Sequence, residues 1–224
     1  MNPLQFCRAV LVLFVVPPLT LLVSIASLVY LVVFRGSSRR VQVFPRGWAK
    51  IILGIAGVKV RVEGKAGLDP EGTYIFASNH QSQFDILALQ GYLGFDFRWL
   101  AKKELFQVPV WGAAMRRSGS IPVDRGQGRA AFKSLEEAAR RIADGTSVII
   151  FPEGTRTPDG SLQPFKAGAM VLAIKSRVPV VPVGISGTYQ MLPKGKLLAQ
   201  RTGLVTIRLG APIRTEGYAV KQKQ

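Results

Sequence analysis

His80 is the only histidine in 224 residues, and Asp85 follows it by five in the stretch FASNHQSQFDIL, Phe76 to Leu87. A neutral imidazole accepts a proton near pH 7 with little tuning. A carboxylate on its other ring nitrogen fixes the tautomer and stabilises the imidazolium that forms. Five residues correspond to about 140° round a regular helix, so the two cannot share a face in mid-helix. They meet if His80 lies on a strand-to-helix turn and Asp85 in the first helical turn. Ser82-x-x-Asp85 also fits a capping box, in which Asp85 merely suits a helix N-terminus. The two readings are compatible, because a capped Asp85 is a fixed one. No serine or cysteine stands in a nucleophile motif of its own, and Cys7 adjoins a long apolar run. The simplest remaining chemistry is a base that activates a hydroxyl on a substrate.

Three further stretches could bind what that base acts on. In FPEGTRTPDG, Phe151 to Gly160, Gly154 lets the backbone approach a ligand closely and Thr155 offers a hydroxyl. Arg156 offers a planar fork suited to phosphate, and Glu153 could orient Arg156 or a substrate hydroxyl. Read alone, the stretch is also an ordinary Pro/Gly turn with solvated charges. IPVDRG carries Arg125 out of an apolar run, and LAKKEL sets Lys102 and Lys103 after another. Each of these cations alone could equally be a solvated surface charge. Together they describe a base with an orienting acid amid several cations, which suits a hydroxyl substrate bearing phosphate.

These residues need a frame that gathers them. VKVRVEG alternates like a strand, and TYIFASN and TSVIIF read as buried strands. FRWLA, SIPVD, VPVVPVGI and LVTIRLG complete the strands. DILALQGYL, ELFQVPVWGAAMRRSG, GRAAFKSLEEAARRIADG and KAGAMVLAIKSR read as helices, the third being the clearest amphipath. Apolar strands alternating with helices predict an α/β fold, a mostly parallel central sheet flanked by helices. Ligands in such sheets lie beyond the carboxyl ends of the strands. Asn79–Asp85, Asp124–Arg125 and Pro152–Arg156 all fall there.

Ahead of this frame, Ala9 to Phe34 contains no charge over 26 residues, where a spanning helix needs about 20. The run is longer than a signal-peptide core, and no clear cleavage pattern follows it, so it reads as a membrane-associated helical segment. Pro17-Pro18 predicts a kink or break, giving one bent span or two shorter helices in one leaflet. Arg35, Arg39, Arg40, Arg46 and Lys50 follow with no acid among them, which marks that side as cytoplasmic and suits anionic headgroups. Ile51 to Val58 could lie at the interface or pack on the domain. The expected division is residues 1–58 as anchor with a polybasic linker, and 59–224 as the α/β domain. The formal charge of +17, from 30 Lys+Arg against 13 Asp+Glu, points to anionic partners. Nucleic acid fits poorly, because basic and aromatic residues are not interleaved. One cysteine excludes an internal disulfide, and one His with one Cys leaves no zinc-type ligand set.

At these residues the chain resembles the 1-acyl-glycerol-3-phosphate acyltransferase family. The resemblance rests on NHQSQFD, of the form N-H-x-x-x-x-D, then IPVDR, FPEGTR and VPVVPVGI in that order, with AKKELFQVPVWG before the second block. It covers roughly residues 45–215. It implies that His80 is the general base and Asp85 its orienting partner, acting on the free 2-hydroxyl of a lysophosphatidic acid. The oxygen would attack the thioester of acyl-CoA or acyl carrier protein with no acyl-enzyme intermediate, giving phosphatidic acid. Arg125 and Arg156, with a lysine of the Lys102–Lys103 pair, would hold the acceptor phosphate. Glu153, Gly154 and Thr155 would shape that pocket. No metal or cofactor is implied, and the N-terminal segment would sit in the cytoplasmic leaflet of the inner membrane. Three alternatives remain open on sequence: another lyso-lipid acceptor such as a lyso-ornithine lipid, a non-catalytic lipid-binding module, and a thioesterase.

Overall fold

The computed structural model describes residues 2–124, 126 and 128–218. Among these residues fourteen α and β elements run in the order α1 (Pro3–Val32), α2 (Val43–Ile55), β1 (Val58–Glu63), β2 (Ile75–Ser78), α3 (Phe84–Tyr92), β3 (Arg98–Lys102), α4 (Trp111–Arg117), β4 (Ile121–Val123), α5 (Arg129–Ala143), β5 (Val148–Ile150), α6 (Ala167–Ser176), β6 (Val180–Ser186), α7 (Thr188–Met191) and β7 (Gly203–Leu209). The seven strands form one sheet in the order β1-β7-β6-β2-β5-β3-β4. Every pairing is parallel except β6 with β7. This is the α/β fold with a mostly parallel sheet that the alternation of patterns predicts.

The sheet is covered on both faces, which is what a parallel sheet requires. Adjacent residues of β2 point to opposite faces and so enter different cores. Phe76 packs in a core with Ile52 and Leu53 of α2 and Leu89 of α3. Ile75 packs in the other, with Ala138 and Ile142 of α5 and Leu172 of α6. Helix α2 thus buries its apolar face on the domain, with Ala49, Ile52 and Leu53 fully enclosed. The expected packing on the domain is thus found, while Val43 and Ile51 on the other side of α2 stay exposed.

Of two expectations about helices, one resolves between its alternatives, a single span rather than two shorter helices, and one differs from what is found. Helix α1 is continuous through Pro17 and Pro18. The missing proline donors cost two intrahelical bonds, and Val12, Val16 and Leu19 on either side of them pack on the main core. The ELFQVPVWGAAMRRSG stretch is not one helix. A short 3₁₀ turn spans Lys103–Gln107, and α4 starts only at Trp111. Between them Val110 takes φ 61° and ψ −59°, and the Trp111 N–H donates to the Pro109 carbonyl at 2.6 Å. This is a γ-turn, and it redirects the chain at the proline.

Among the described residues α1 is the one helix long and apolar enough to cross a membrane. Its polar residues Ser24 and Ser27 face inward and are buried, while Phe14 and Leu22 are more than 60% exposed. That is the reverse of a soluble helix. Trp48 of α2 ties the two helices together by donating its indole N–H to Thr20 Oγ1 at 3.0 Å.

Candidate active site

Strand β2 ends at Ser78, and the next residue turns the chain without breaking the sheet. Asn79 pairs with β6 through its side chain: Oδ1 accepts the Ile185 N–H at 2.7 Å and Nδ2 donates to the Ile185 carbonyl at 2.9 Å. The amide thus stands in for a strand residue, and the backbone is free to leave the sheet at His80.

The backbone of His80 is then held by the FPEGTR stretch that follows β5. Its N–H donates to Glu153 Oε1 at 2.7 Å, and its carbonyl accepts the Thr157 N–H at 2.8 Å. The ring is held as firmly. Nδ1 lies 2.8 Å from Asp85 Oδ2. That oxygen also accepts the N–H groups of Gln81 at 2.6 Å and Ser82 at 2.8 Å. With Nδ1 bonded to a carboxylate, the favoured tautomer carries its hydrogen there and leaves the Nε2 lone pair as acceptor. Asp85 is fully buried and the His80 side chain is 13% exposed. One face of the imidazole stacks on Phe151, with ring centroids 3.8 Å apart and planes 12° from parallel. Trp99 extends the stack behind Phe151 and is fixed by donating to Gln90 Oε1 at 2.7 Å. The capping reading is half realised. Asp85 accepts the Ser82 N–H, but the Ser82 hydroxyl oxygen accepts from Phe84 N–H instead of Asp85 N–H.

His80 opens onto a cavity of about 480 Å³. Gly154, Thr155 and Arg156 line it beside the imidazole, as does Lys102 at the end of β3. Trp48, Leu100, Leu105, Trp111 and Met115 form its apolar walls, and Val23, Ser24 and Ser27 of α1 close it on the exposed apolar helix. Gly154 holds φ 73°, a left-handed conformation that lets the loop turn over the cavity.

Two of the expected site residues sit elsewhere. Glu153 does not reach Arg156 or the cavity. It is 2% exposed, and its second oxygen accepts the Gln163 N–H at 2.9 Å. Its adjacency in sequence suggested a partner for the cation, but a residue after a buried strand can point inward, and this one does. Lys103 points away from the cavity and pairs with Asp124 at 2.6 Å. Each raises or lowers the other in the expected sense: the hydrogen bond holds the Lys103 ammonium above its ordinary range and the Asp124 carboxyl below its own. Arg125 lies outside the described residues. Sequence reasoning gave no role to Asn79, Phe151 or Trp99. The first two stand inside the quoted blocks, but an amide standing in for a strand residue and a ring under an imidazole leave no spacing signal.

A family model described as Acyltransferase matches residues 59–186. The chain is 36% identical over 167 residues to the chloroplastic 1-acyl-sn-glycerol-3-phosphate acyltransferase BAT2 of Brassica napus, covering 74% of this chain and 48% of that protein. It is 33% identical over 162 residues to the mouse 1-acyl-sn-glycerol-3-phosphate acyltransferase alpha, covering 72% and 57%. The crystal structure of the 1-acyl-sn-glycerophosphate acyltransferase PlsC from Thermotoga maritima superposes with a TM-score of 0.72 at 28% identity, covering 96% of this chain and 89% of that one. The chain belongs to the acyltransferase family. Within it, the chain is similar to 1-acyl-sn-glycerol-3-phosphate acyltransferases, although it spans only about half the length of the chloroplastic plant relatives it matches.

Proposed function

We propose that the protein is a membrane-associated 1-acyl-sn-glycerol-3-phosphate O-acyltransferase that makes phosphatidic acid. The observation that carries this reading is the His80–Asp85 pair at 2.8 Å, set where an apolar cavity bounded by α1 meets a cation-bearing loop. The glycerol 2-hydroxyl of lysophosphatidic acid sits at Nε2. As its oxygen attacks the thioester carbonyl of the acyl donor, the hydroxyl proton passes to Nε2. Asp85 stabilises the imidazolium that results. The tetrahedral intermediate collapses by breaking the carbon–sulfur bond, and the departing thiolate takes the proton back. The products are the ester and the free thiol, with His80 restored. Arg156 and Lys102 hold the acceptor phosphate, and Arg125 joins them from the segment after β4. The apolar walls accept acyl chains arriving from the bilayer through the α1 side.

In this reading residues 1–58 anchor the protein and residues 59–224 carry the chemistry, with α2 built into the domain core. The polybasic stretch from Arg35 to Lys50 lies on the cytoplasmic face of the inner membrane, where acyl-CoA and acyl carrier protein are both accessible.

The test is transfer from labelled acyl-CoA by detergent-purified protein, given lysophosphatidic acid, other lyso-lipids, or no acceptor. Phosphatidic acid formed only with lysophosphatidic acid supports the proposal. Equal transfer to a lyso-lipid without phosphate removes the acceptor assignment, and fatty acid release without acceptor replaces it with a thioesterase.

A further inference from the structure

Two lysines stand on the outer side of the loop whose inner side lines the cavity. Lys194, after α7, donates from Nζ to Thr155 Oγ1 at 3.3 Å. Lys166, just before α6, is tied to the same loop by its N–H, which donates to the Pro152 carbonyl at 2.8 Å. Its side chain runs over Gly154, where a Cβ would lie 3.2 Å from Lys166 Cγ and 3.7 Å from Cε. Both lysines are exposed, and neither lines the cavity. Among the described residues no acidic side chain is paired with Lys166, Lys194 or Arg156. The cations around residues 153–156 therefore form two tiers: Lys102 and Arg156 within the cavity, Lys166 and Lys194 on its outer rim.

The proposed reaction brings two phosphate-bearing substrates to one histidine, and this inference rests on that reading. The inner tier is taken by the acceptor phosphate. A second phosphate in the same place would meet like charge, so it needs separate cations. The donor thioester must lie at His80, and its pantetheine arm must leave for solvent. An arm that leaves over the 153–156 loop would meet Lys166 and Lys194 beside it. We propose that these two lysines form the donor subsite, holding the phosphate at the end of the phosphopantetheine arm. That group is shared by acyl-CoA and acyl carrier protein, so one rim serves either donor.

The test is the double variant Lys166→Gln/Lys194→Gln in the full chain. The KM for acyl-CoA is expected to rise roughly tenfold, and the KM for acyl carrier protein donor with it. The KM for lysophosphatidic acid and kcat should stay within about twofold of wild type. An acyl-pantetheine lacking the phosphate should be used equally by both proteins. Binding of coenzyme A by titration calorimetry, which needs no turnover, should weaken by a similar factor. Weakened calorimetric binding in a protein that transfers no acyl group would leave the subsite standing while the reaction assignment fell. Unchanged donor KM and coenzyme A affinity would overturn the proposal. So would a rise in acceptor KM instead, a loss confined to acyl-CoA, or a loss only of binding to anionic vesicles.

Discussion

Glu153 Oε1 accepts the backbone N–H of His80 at 2.7 Å, and so two loops from adjacent strands are joined through one buried carboxylate. Glu153 itself does not line the cavity; its carboxylate fixes where the His80 backbone sits. Replacing it by glutamine keeps the size but turns an N–H₂ toward one of the two N–H donors it now serves. Glu153→Gln should lower stability by about 1.5–3 kcal/mol, the scale of a buried hydrogen bond to charge. Displacing the base should cost about 10²-fold in kcat. The acceptor KM should hold, because Arg156 and Lys102 are untouched. Steady-state kinetics with a thermal melt measure both; a raised KM at unchanged kcat would return Glu153 to substrate binding.

The Phe151 ring, 3.8 Å over the imidazole, sets the plane in which His80 can turn. A stacked pair of this kind is worth about 0.5–1.5 kcal/mol beyond its buried area. Phe151→Leu should therefore lower kcat by up to about tenfold, and Phe151→Tyr should recover most of it. The lone histidine makes the geometry directly visible: its ring-proton NMR signals should move downfield when the stacked ring is removed. No movement would mean that the rings are not stacked in solution.

Lys102 and Lys103 are neighbours with different surroundings. Lys102 lines the cavity and lies 3.5 Å from the exposed Glu104 carboxylate, whereas Lys103 is held by Asp124 at 2.6 Å outside the cavity lining. Lys102→Gln should raise the KM for lysophosphatidic acid about tenfold. Lys103→Gln removes a half-exposed ion pair of the kind that contributes little to stability, and should leave both constants within about twofold. The reverse pattern would exchange their roles.

The turn that follows the FPEGTR stretch carries its own pH limit. Asp159 accepts from the Ser161 hydroxyl and N–H and from the Thr157 hydroxyl, and these bonds pull its carboxyl down from 3.8 to about 2. A depressed carboxyl stabilises the fold above its unfolded value and loses that contribution as pH falls through the folded one. The turn should therefore be intact above about pH 4 and loosen between there and pH 2. The carbon-13 titration of the Asp159 carboxyl tests this; a midpoint near 4 would mean that the turn is not formed in solution.

Much of this arrangement was legible in the residues. Short apolar runs ending in NHQSQFD, VDR and FPEGTR predict strand-end loops, and β2 and β5 bring the first and third of these together. The His80–Asp85 pair also follows from its spacing once a strand-to-helix turn is assumed. What was hidden depends on contacts between distant segments. Pro17-Pro18 leaves open one bent span or two shorter helices, and only the structure shows a single helix whose Val12 and Leu19 pack on the core. Glu153 beside Arg156 suggests a charge pair, and only the fold shows that it turns inward to a backbone N–H 73 residues away. The antiparallel join of β6 and β7 likewise has no local mark, since either direction leaves Val183, Ile185 and Ile207 buried.

The central claim is that His80 takes the acceptor proton, and one comparison tests it most directly. Wild type and His80→Ala, both shown to be folded by circular dichroism, are assayed for acyl transfer to lysophosphatidic acid at saturating substrate. Loss of a positioned base should lower kcat by roughly 10²–10⁴. A folded His80→Ala protein that turns over at close to the wild-type rate would contradict the mechanism.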